Sequence, residues 1–311
     1  MSNTAYVFPG QGSQSVGMLA ELAANHPVIR DSFQEVSDRL GYDLWYLVQA
    51  GPEDQLNQTE YTQAAMLTAD VAVYRLLQSL GAVKPLCMAG HSLGEYAALV
   101  AADALTLTDA AWLVSQRGRI MQASVPQGQG AMAAIVGLSD EQVIALCQTA
   151  SQSQSQVSPA NFNAIGQVVI AGHTDAVARA IQLAEEMSAR LAKVIPVSVP
   201  CHCPLLTEAA EMFDEQLQKT DFMLPKVDVI SNVNLSVYQS IEDIRTLLKA
   251  QLYSPVRWVE TIQWMKNKSI TCIIESGPGK VLSGLIKRID RSIETIPVID
   301  DASLQQALAH Q

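Results

Sequence analysis

Two apolar rhythms alternate along the chain. Short apolar runs at 5–8 and 86–89 end in Gly or Pro and read as buried strands. Helical patterns fill the space between and after them, at about 16–24, 28–39 and 62–80, with Gly81 as a stop and Pro85 barring continuation. The second strand leads through GHSLG (90–94) into an Ala-rich helix to about 102. Another helix follows at 108–124, with Thr108 as its expected N-cap. Strands alternating with helices predict a mostly parallel α/β sheet.

The rhythm then changes. Strand 131–136, helix 139–150, strands 157–162 and 167–171, helix 174–190 and strand 192–198 give the order β-α-β-β-α-β, the ferredoxin-like arrangement. Pro126-Gln127-Gly128 and Pro200 flank it. Residues 129–198 are therefore expected to form an inserted subdomain, of ordinary if small domain size, within a core made of 1–128 and 199–311. The core resumes with helix 204–219, strand 227–231, helices 240–251 and 255–267, strand 270–275, the loop SGPGK and helix 280–289. No internal repeat is evident.

Composition narrows the function. A chain of 311 residues with 49% hydrophobic and 16% charged residues has ample core for one large domain or a large one with an insert. The net charge of −11 disfavours nucleic acid and anionic membranes as partners, and an acidic protein partner would need a local basic patch. Five cysteines without a CxxC pair argue against a disulfide framework or a zinc site and fit a reducing compartment. No basic segment followed by an apolar core opens the chain, so no signal peptide is expected. The most apolar stretch, 97–114, is interrupted by Asp103 and Asp109 and fails as a membrane span. A cytoplasmic location is expected.

The strongest chemical signal is Gly90-His91-Ser92-Leu93-Gly94, a G-x-S-x-G between a strand and a helix. The glycines allow a strained turn that lifts the serine hydroxyl clear of the sheet. Ser92 then sits at a helix N-terminus, where free N–H groups and the helix dipole favour developing negative charge. The N–H of Leu93 is one expected oxyanion donor.

A serine nucleophile needs a base, usually histidine. His310 is terminal, His26 lies on a turn, and His91 adjoins Ser92 and reads as structural. His202 and His173 remain. His202 follows a strand of the core, where active sites of α/β sheets gather, but position alone does not exclude His173. No acid presents itself as a third member, so a backbone carbonyl is the expected orienting group.

In helix 108–124, Leu113, Arg117 and Met121 share one apolar stripe. A guanidinium there needs an anionic partner. Helical phase leaves two readings open, an ion pair with a protein carboxylate and a bidentate clamp for a substrate carboxylate. The Gly-rich loops PGQGSQ (9–14) and GPGK (277–280) match neither G-x-G-x-x-G nor the P-loop, so no nucleotide cofactor is expected, and no metal.

Seven ordered blocks carry a family resemblance: FPGQGSQ (8–14), GHSLGE (90–95), RGRIM (117–121), GQVVIAG (166–172), HCPL (202–205), QLYSPVRW (251–258) and ESGPGKVL (275–282). Together they resemble the malonyl-CoA:acyl carrier protein transacylases of bacterial type II fatty acid synthesis, over essentially the whole chain. The resemblance implies an α/β-hydrolase-like core with an inserted ferredoxin-like subdomain. It implies Ser92 as nucleophile and His202 as base, with the N–H groups of Gln11 and Leu93 as oxyanion hole. Arg117 would bind the malonyl carboxylate, and the backbone carbonyl of Gln251 would orient His202. The substrates would be a coenzyme A thioester and the phosphopantetheine thiol of acyl carrier protein, with no cofactor. Two positions depart from the family: Ile165 where proline is common, expected to bear on the loop over the acyl pocket, and Cys201 where serine is frequent, expected to bear on its polarity.

An acidic carrier is expected to dock on the basic residues of the C-terminal quarter, Arg257, Lys266, Lys268, Lys280, Lys287 and Arg288. The rival readings are a thioesterase or esterase of the same fold, an acyltransferase of polyketide synthesis, and a non-catalytic carrier-protein binder.

Overall fold

The computed structural model describes residues 3–126, 128–197 and 199–310. Among the described residues the strands are β1 (Thr4–Phe8), β2 (Cys87–Gly90), β3 (Gly130–Val136), β4 (Val157–Ala164), β5 (Gln167–His173), β6 (Leu191–Ile195), β7 (Asp228–Ile230), β8 (Cys272–Ser276) and β9 (Glu294–Val298). They form two sheets in a mixed α/β fold.

The first sheet is parallel, in the order β7-β2-β1-β8-β9. Helices cover both faces, as parallel sheets require. Alternation along β1 sends Tyr6 and Phe8 into one core, Ala5 and Val7 into the other. The larger core is built by helices Pro27–Leu40, Thr59–Ser79, Gly94–Ala101, Leu107–Ser124 and Thr207–Lys219; the smaller by Trp258–Asn267 and Val281–Ile289. Thr59–Ser79 is buried over most of its length, polar residues such as Thr62, Gln63 and Asp70 included, and runs through the larger core.

The second sheet is antiparallel, in the order β4-β5-β3-β6. One face, with Ile135, Val168 and Ile170, packs on helices Asp140–Ala150 and Thr174–Glu186. The other, with Met132, Val169 and Ala171, turns toward Cys203 and the segment that carries His202. Val256 ties the two parts together, accepting from Phe162 N–H and donating to Ala160 C=O, each at 2.9 Å. Register shifts in β4 flank Asn161 and Phe162 at that junction.

The structure corrects several expectations. The N-cap of helix Leu107–Ser124 is Thr106, not Thr108: Leu107 is already buried and helical, and the Thr106 hydroxyl accepts Asp109 N–H at 3.1 Å. Helices Leu44–Ala50 and Glu53–Leu56 were not expected, being too short for periodicity to declare. Nor were β9 and helix Asp301–Ala309. Pro297 speaks against a strand, but β9 is the sheet edge, where a missing N–H is tolerated. The helix expected at 174–190 ends at Glu186, with Ser188 in a left-handed conformation. The strand expected over 192–198 ends at Ile195, before Pro196; its last residue, Ser198, and Gln127 of the 126–128 loop lie outside the described residues. Among the described residues no helix is long and apolar enough to cross a membrane.

Candidate active site

β2 delivers Gly90 to a turn that leads into helix Gly94–Ala101. The glycines are steric necessities. A Cβ on Gly90 would lie 1.8 Å from the Gly94 carbonyl carbon, and one on Gly94 would lie 2.0 Å from Phe8 O. Ser92 at the apex has φ 53°, a left-handed conformation that costs a non-glycine residue about 1–3 kcal/mol and needs a surrounding that imposes it. Asn232, fully buried after β7, imposes it from both sides. Its Oδ1 accepts Ser92 N–H at 2.8 Å and its Nδ2 donates to Gly90 C=O at 2.7 Å.

His202 approaches from the facing loop. It also has a positive φ, 59°, is 2% exposed, and is pinned by its N–H to Leu252 C=O at 3.0 Å. Its Nε2 lies 2.7 Å from Ser92 Oγ and its Nδ1 lies 2.7 Å from Gln251 C=O. A carbonyl can only accept, so Nδ1 carries the proton and Nε2 offers its lone pair to the serine hydroxyl. Gln251 is the last residue of helix Ile241–Gln251, and its carbonyl is one that a helix end leaves without an intrahelical partner. Burial, and then the nearby Arg117 charge, push the His202 pKa down to about 3.

The structure brings His202, and not His173, to the serine. His173 ends β5, where its Nδ1 accepts Gln156 N–H at 3.0 Å. His91 turns away from Ser92 to Asn163 Oδ1 at 2.8 Å and packs edge-on against Trp258. His26 pairs with Asp301, and His310 lies 3.9 Å from Glu294.

Arg117 is 2% exposed, with its guanidinium near the Tyr96 ring. Nη1 donates to Gln63 Oε1 at 2.9 Å and Nη2 to Gln251 Oε1 at 3.0 Å, while Nε has no partner among the described residues. Among the described residues no carboxylate forms an ion pair with it. Of the two readings helical phase left open, the direct ion pair is thus absent, and a buried cation keeps donors in reserve beside the serine.

Ser92, His202 and Arg117 line one cavity of about 190 Å³ together with Gln11 and Leu93. Met132, Val169 and Ile195 of the antiparallel sheet form the opposite apolar wall. The loop that holds Gln11 lies against the elbow so closely that a Cβ on Gly10 would meet His91 O at 2.4 Å. The N–H groups of Gln11 and Leu93 donate to no acceptor among the described residues. Cys201 lines the cavity as a neutral thiol, its pKa raised to about 11 by burial. Ile165 does not. It is 64% exposed at the β4–β5 turn and forms no part of the cavity wall.

Three buried groups escaped sequence reasoning. Glu95, Asn232 and Gln63 surround the elbow and Arg117, and the Gln251 side chain joins them. Glu95 did leave a signal, as the one charge in the otherwise apolar helix Gly94–Ala101. Burial raises its pKa to about 7 against the opposing pull of Tyr238, Gln251, Asn232 and Arg117.

Elsewhere, the N-terminus of helix Val281–Ile289 behind the GPGK loop is filled by the protein's own Glu275, which accepts the N–H groups of Leu282 and Ser283. Cys272, Glu294 and His310 bring potential ligand atoms within 4.8 Å of one another, but burial pushes the Cys272 thiol up to about 12, which suits it poorly for holding a metal. In the expected basic patch Arg257 pairs with Glu260, Lys266 with Asp290, and Lys268 stacks on Trp264. Lys280, Lys287 and Arg288 remain exposed and free of ion pairs among the described residues.

Residues 5–301 match the acyl transferase domain family. The chain is 47% identical over 308 residues to the malonyl CoA-acyl carrier protein transacylase of Escherichia coli, covering 99% of each chain. The solved malonyl CoA-acyl carrier protein transacylase of Coxiella burnetii superposes with a TM-score of 0.98 at 48% identity, covering 99% of this chain and 98% of that one. A malonyl-transacylase solved in complex with its type II PKS acyl-carrier protein superposes with a TM-score of 0.98 at 47% identity over the full length of both. The fold, the elbow and these likenesses converge: the chain belongs to the malonyl CoA-acyl carrier protein transacylase family.

Proposed function

We propose that the protein moves the malonyl group of malonyl-CoA onto the phosphopantetheine thiol of acyl carrier protein through a malonyl ester on Ser92, supplying malonyl-carrier for fatty acid elongation. One observation carries the reading: the 2.7 Å contact between Ser92 Oγ and His202 Nε2 shares a cavity with a buried arginine that no carboxylate among the described residues pairs.

In the first half-reaction Ser92 Oγ attacks the thioester carbonyl while its proton passes to His202 Nε2. The oxyanion is held by the N–H groups of Gln11 and Leu93; loss of one such donor costs about 10²–10³ in rate. The C–S bond breaks and His202 returns the proton to the departing CoA sulfur. In the second half-reaction the carrier thiol gives its proton to His202, attacks the acyl-serine, and Ser92 leaves with that proton. The helices assist both charges. Negative charge develops beside the N-terminus of Gly94–Ala101, and the imidazolium forms against the C-terminal carbonyl of Ile241–Gln251. The reading calls for no cofactor, because His202 shuttles the proton and backbone N–H groups stabilise the oxyanion.

Arg117 binds the malonyl carboxylate, with Gln63 and Gln251 holding its fork in place. That contact selects a dicarboxylic acyl group over acetyl and lets transfer compete with hydrolysis. The parallel sheet, 1–128 with 199–311, is read as an α/β-hydrolase-like core. The β-α-β-β-α-β unit over 129–198, with the strand order β4-β5-β3-β6, is read as a ferredoxin-like subdomain that closes the acyl pocket. Five free cysteines favour a reducing, cytoplasmic setting. The acidic carrier docks near Lys280, Lys287 and Arg288.

Transfer is tested by following malonate from malonyl-CoA to holo carrier protein. Parallel double-reciprocal lines and an inert Ser92→Ala variant are expected. Free malonate as the main product would favour the thioesterase reading, and a carrier of polyketide synthesis preferred over a fatty acid carrier would reassign the pathway.

A further inference from the structure

Gln251 touches the serine turn, the histidine and the arginine. Its backbone carbonyl holds His202 Nδ1 at 2.7 Å; its side-chain Oε1 accepts from Arg117 Nη2 at 3.0 Å; its Nε2 donates to Ser92 C=O at 3.0 Å and to Glu95 Oε2 at 2.5 Å. A side-chain amide has one accepting and one donating end. Arg117 can only donate and the Ser92 carbonyl can only accept, so the amide has one permitted orientation. In that orientation its second N–H points at Glu95, where only an acceptor fits.

We infer that Glu95 is a positioning residue, whose carboxylate locks the Gln251 amide and so couples the base His202 to the acyl-selecting Arg117. Glu95 is fully buried and forms no part of the cavity wall, so it acts through its partners. Its other oxygen accepts Tyr238 O–H at 2.5 Å and the N–H of Asn232 at 3.2 Å, and Asn232 clamps the Ser92 turn. One carboxylate thereby joins nucleophile turn, base and arginine. The inference deepens the transfer reading and rests on Arg117 binding the acyl carboxylate.

The experiment measures single-turnover acylation of Ser92 by malonyl-CoA and by acetyl-CoA in the wild type, Glu95→Gln and Tyr238→Phe, with a thermal melt of each. Glu95→Gln keeps the shape but turns a donor toward Gln251 Nε2 or, flipped, toward Tyr238 and Asn232. Malonylation is expected to slow about 10- to 100-fold, as for a lost hydrogen bond to a charged group, and the malonyl-to-acetyl ratio to fall about 10-fold. Tyr238→Phe removes a donor from the far oxygen and leaves the Gln251 contact; it is expected to lower the melting temperature and keep the ratio within about twofold. Should Glu95→Gln fail to fold, Glu95→Asp keeps the charge, withdraws the oxygens by one methylene, and is expected to lower the same ratio. A folded Glu95 variant with the wild-type ratio, or a Tyr238→Phe protein that loses the ratio equally, overturns the positioning role alone. Wild-type protein that leaves Ser92 unacylated overturns the transfer reading itself.

Discussion

Ser92 and His202 meet at 2.7 Å with both backbones in the left-handed region, at φ 53° and 59°. Two strained residues facing each other need clamps, and each has one: Asn232 for the serine turn, the carbonyls of Leu252 and Gln251 for the histidine. Asn232→Ala removes the serine clamp and leaves the Ser92 N–H without its buried acceptor. Acylation is expected to slow about 10-fold or more, at a stability cost of about 1–3 kcal/mol, measured by single-turnover labelling and denaturant unfolding.

Arg117→Ala should separate acyl groups rather than abolish chemistry. Malonylation of Ser92 is expected to fall about 10²-fold or more, the scale of a lost bidentate charge-assisted contact, while acetylation changes far less. Equal losses for both acyl groups would remove the carboxylate-binding role.

The pH profile follows from His202. A histidine whose pKa is lowered to about 3 stays neutral, and so able to accept a proton, well below the usual 6.5. Lowering the pH from 8 to about 5.5 is therefore expected to change the single-turnover acylation rate little on account of this residue. A loss of about tenfold across that interval that persists in the Glu95→Gln variant, whose side chain does not titrate, would place the histidine near its ordinary value instead.

Charge reversal at Lys287 and Arg288 is expected to raise the KM for carrier protein severalfold at low salt and to leave acylation by malonyl-CoA unchanged, with the difference shrinking at high salt. Unchanged carrier kinetics at low salt would move the docking surface elsewhere.

The elements that sequence reveals are those with local causes. The glycine elbow declares itself because only glycine fits at 90 and 94, and the β-α-β-β-α-β order shows in periodicity alone. What stayed hidden has distant or competing causes. Asn232 stands 140 residues from the serine it clamps, and Glu95 meets Gln251 across 156. The lone charge of helix Gly94–Ala101 marks Glu95 as unusual, but nothing near either residue names its partner. His202 could be narrowed only to one of two, since its claim rests on reaching Ser92 across 110 residues. β9 was masked by Pro297, an edge-strand exception to a rule that holds for inner strands.

In the proposed mechanism Ser92 carries the malonyl group between two thiols. Intact-mass measurement after brief mixing with malonyl-CoA tests it most directly. The expected result is a protein heavier by one malonyl group, mapped to Ser92, absent in Ser92→Ala, and discharged on adding holo carrier protein with the mass appearing on the carrier. A protein that stays unmodified while free malonate accumulates, or a malonyl group that the carrier cannot remove, would contradict it.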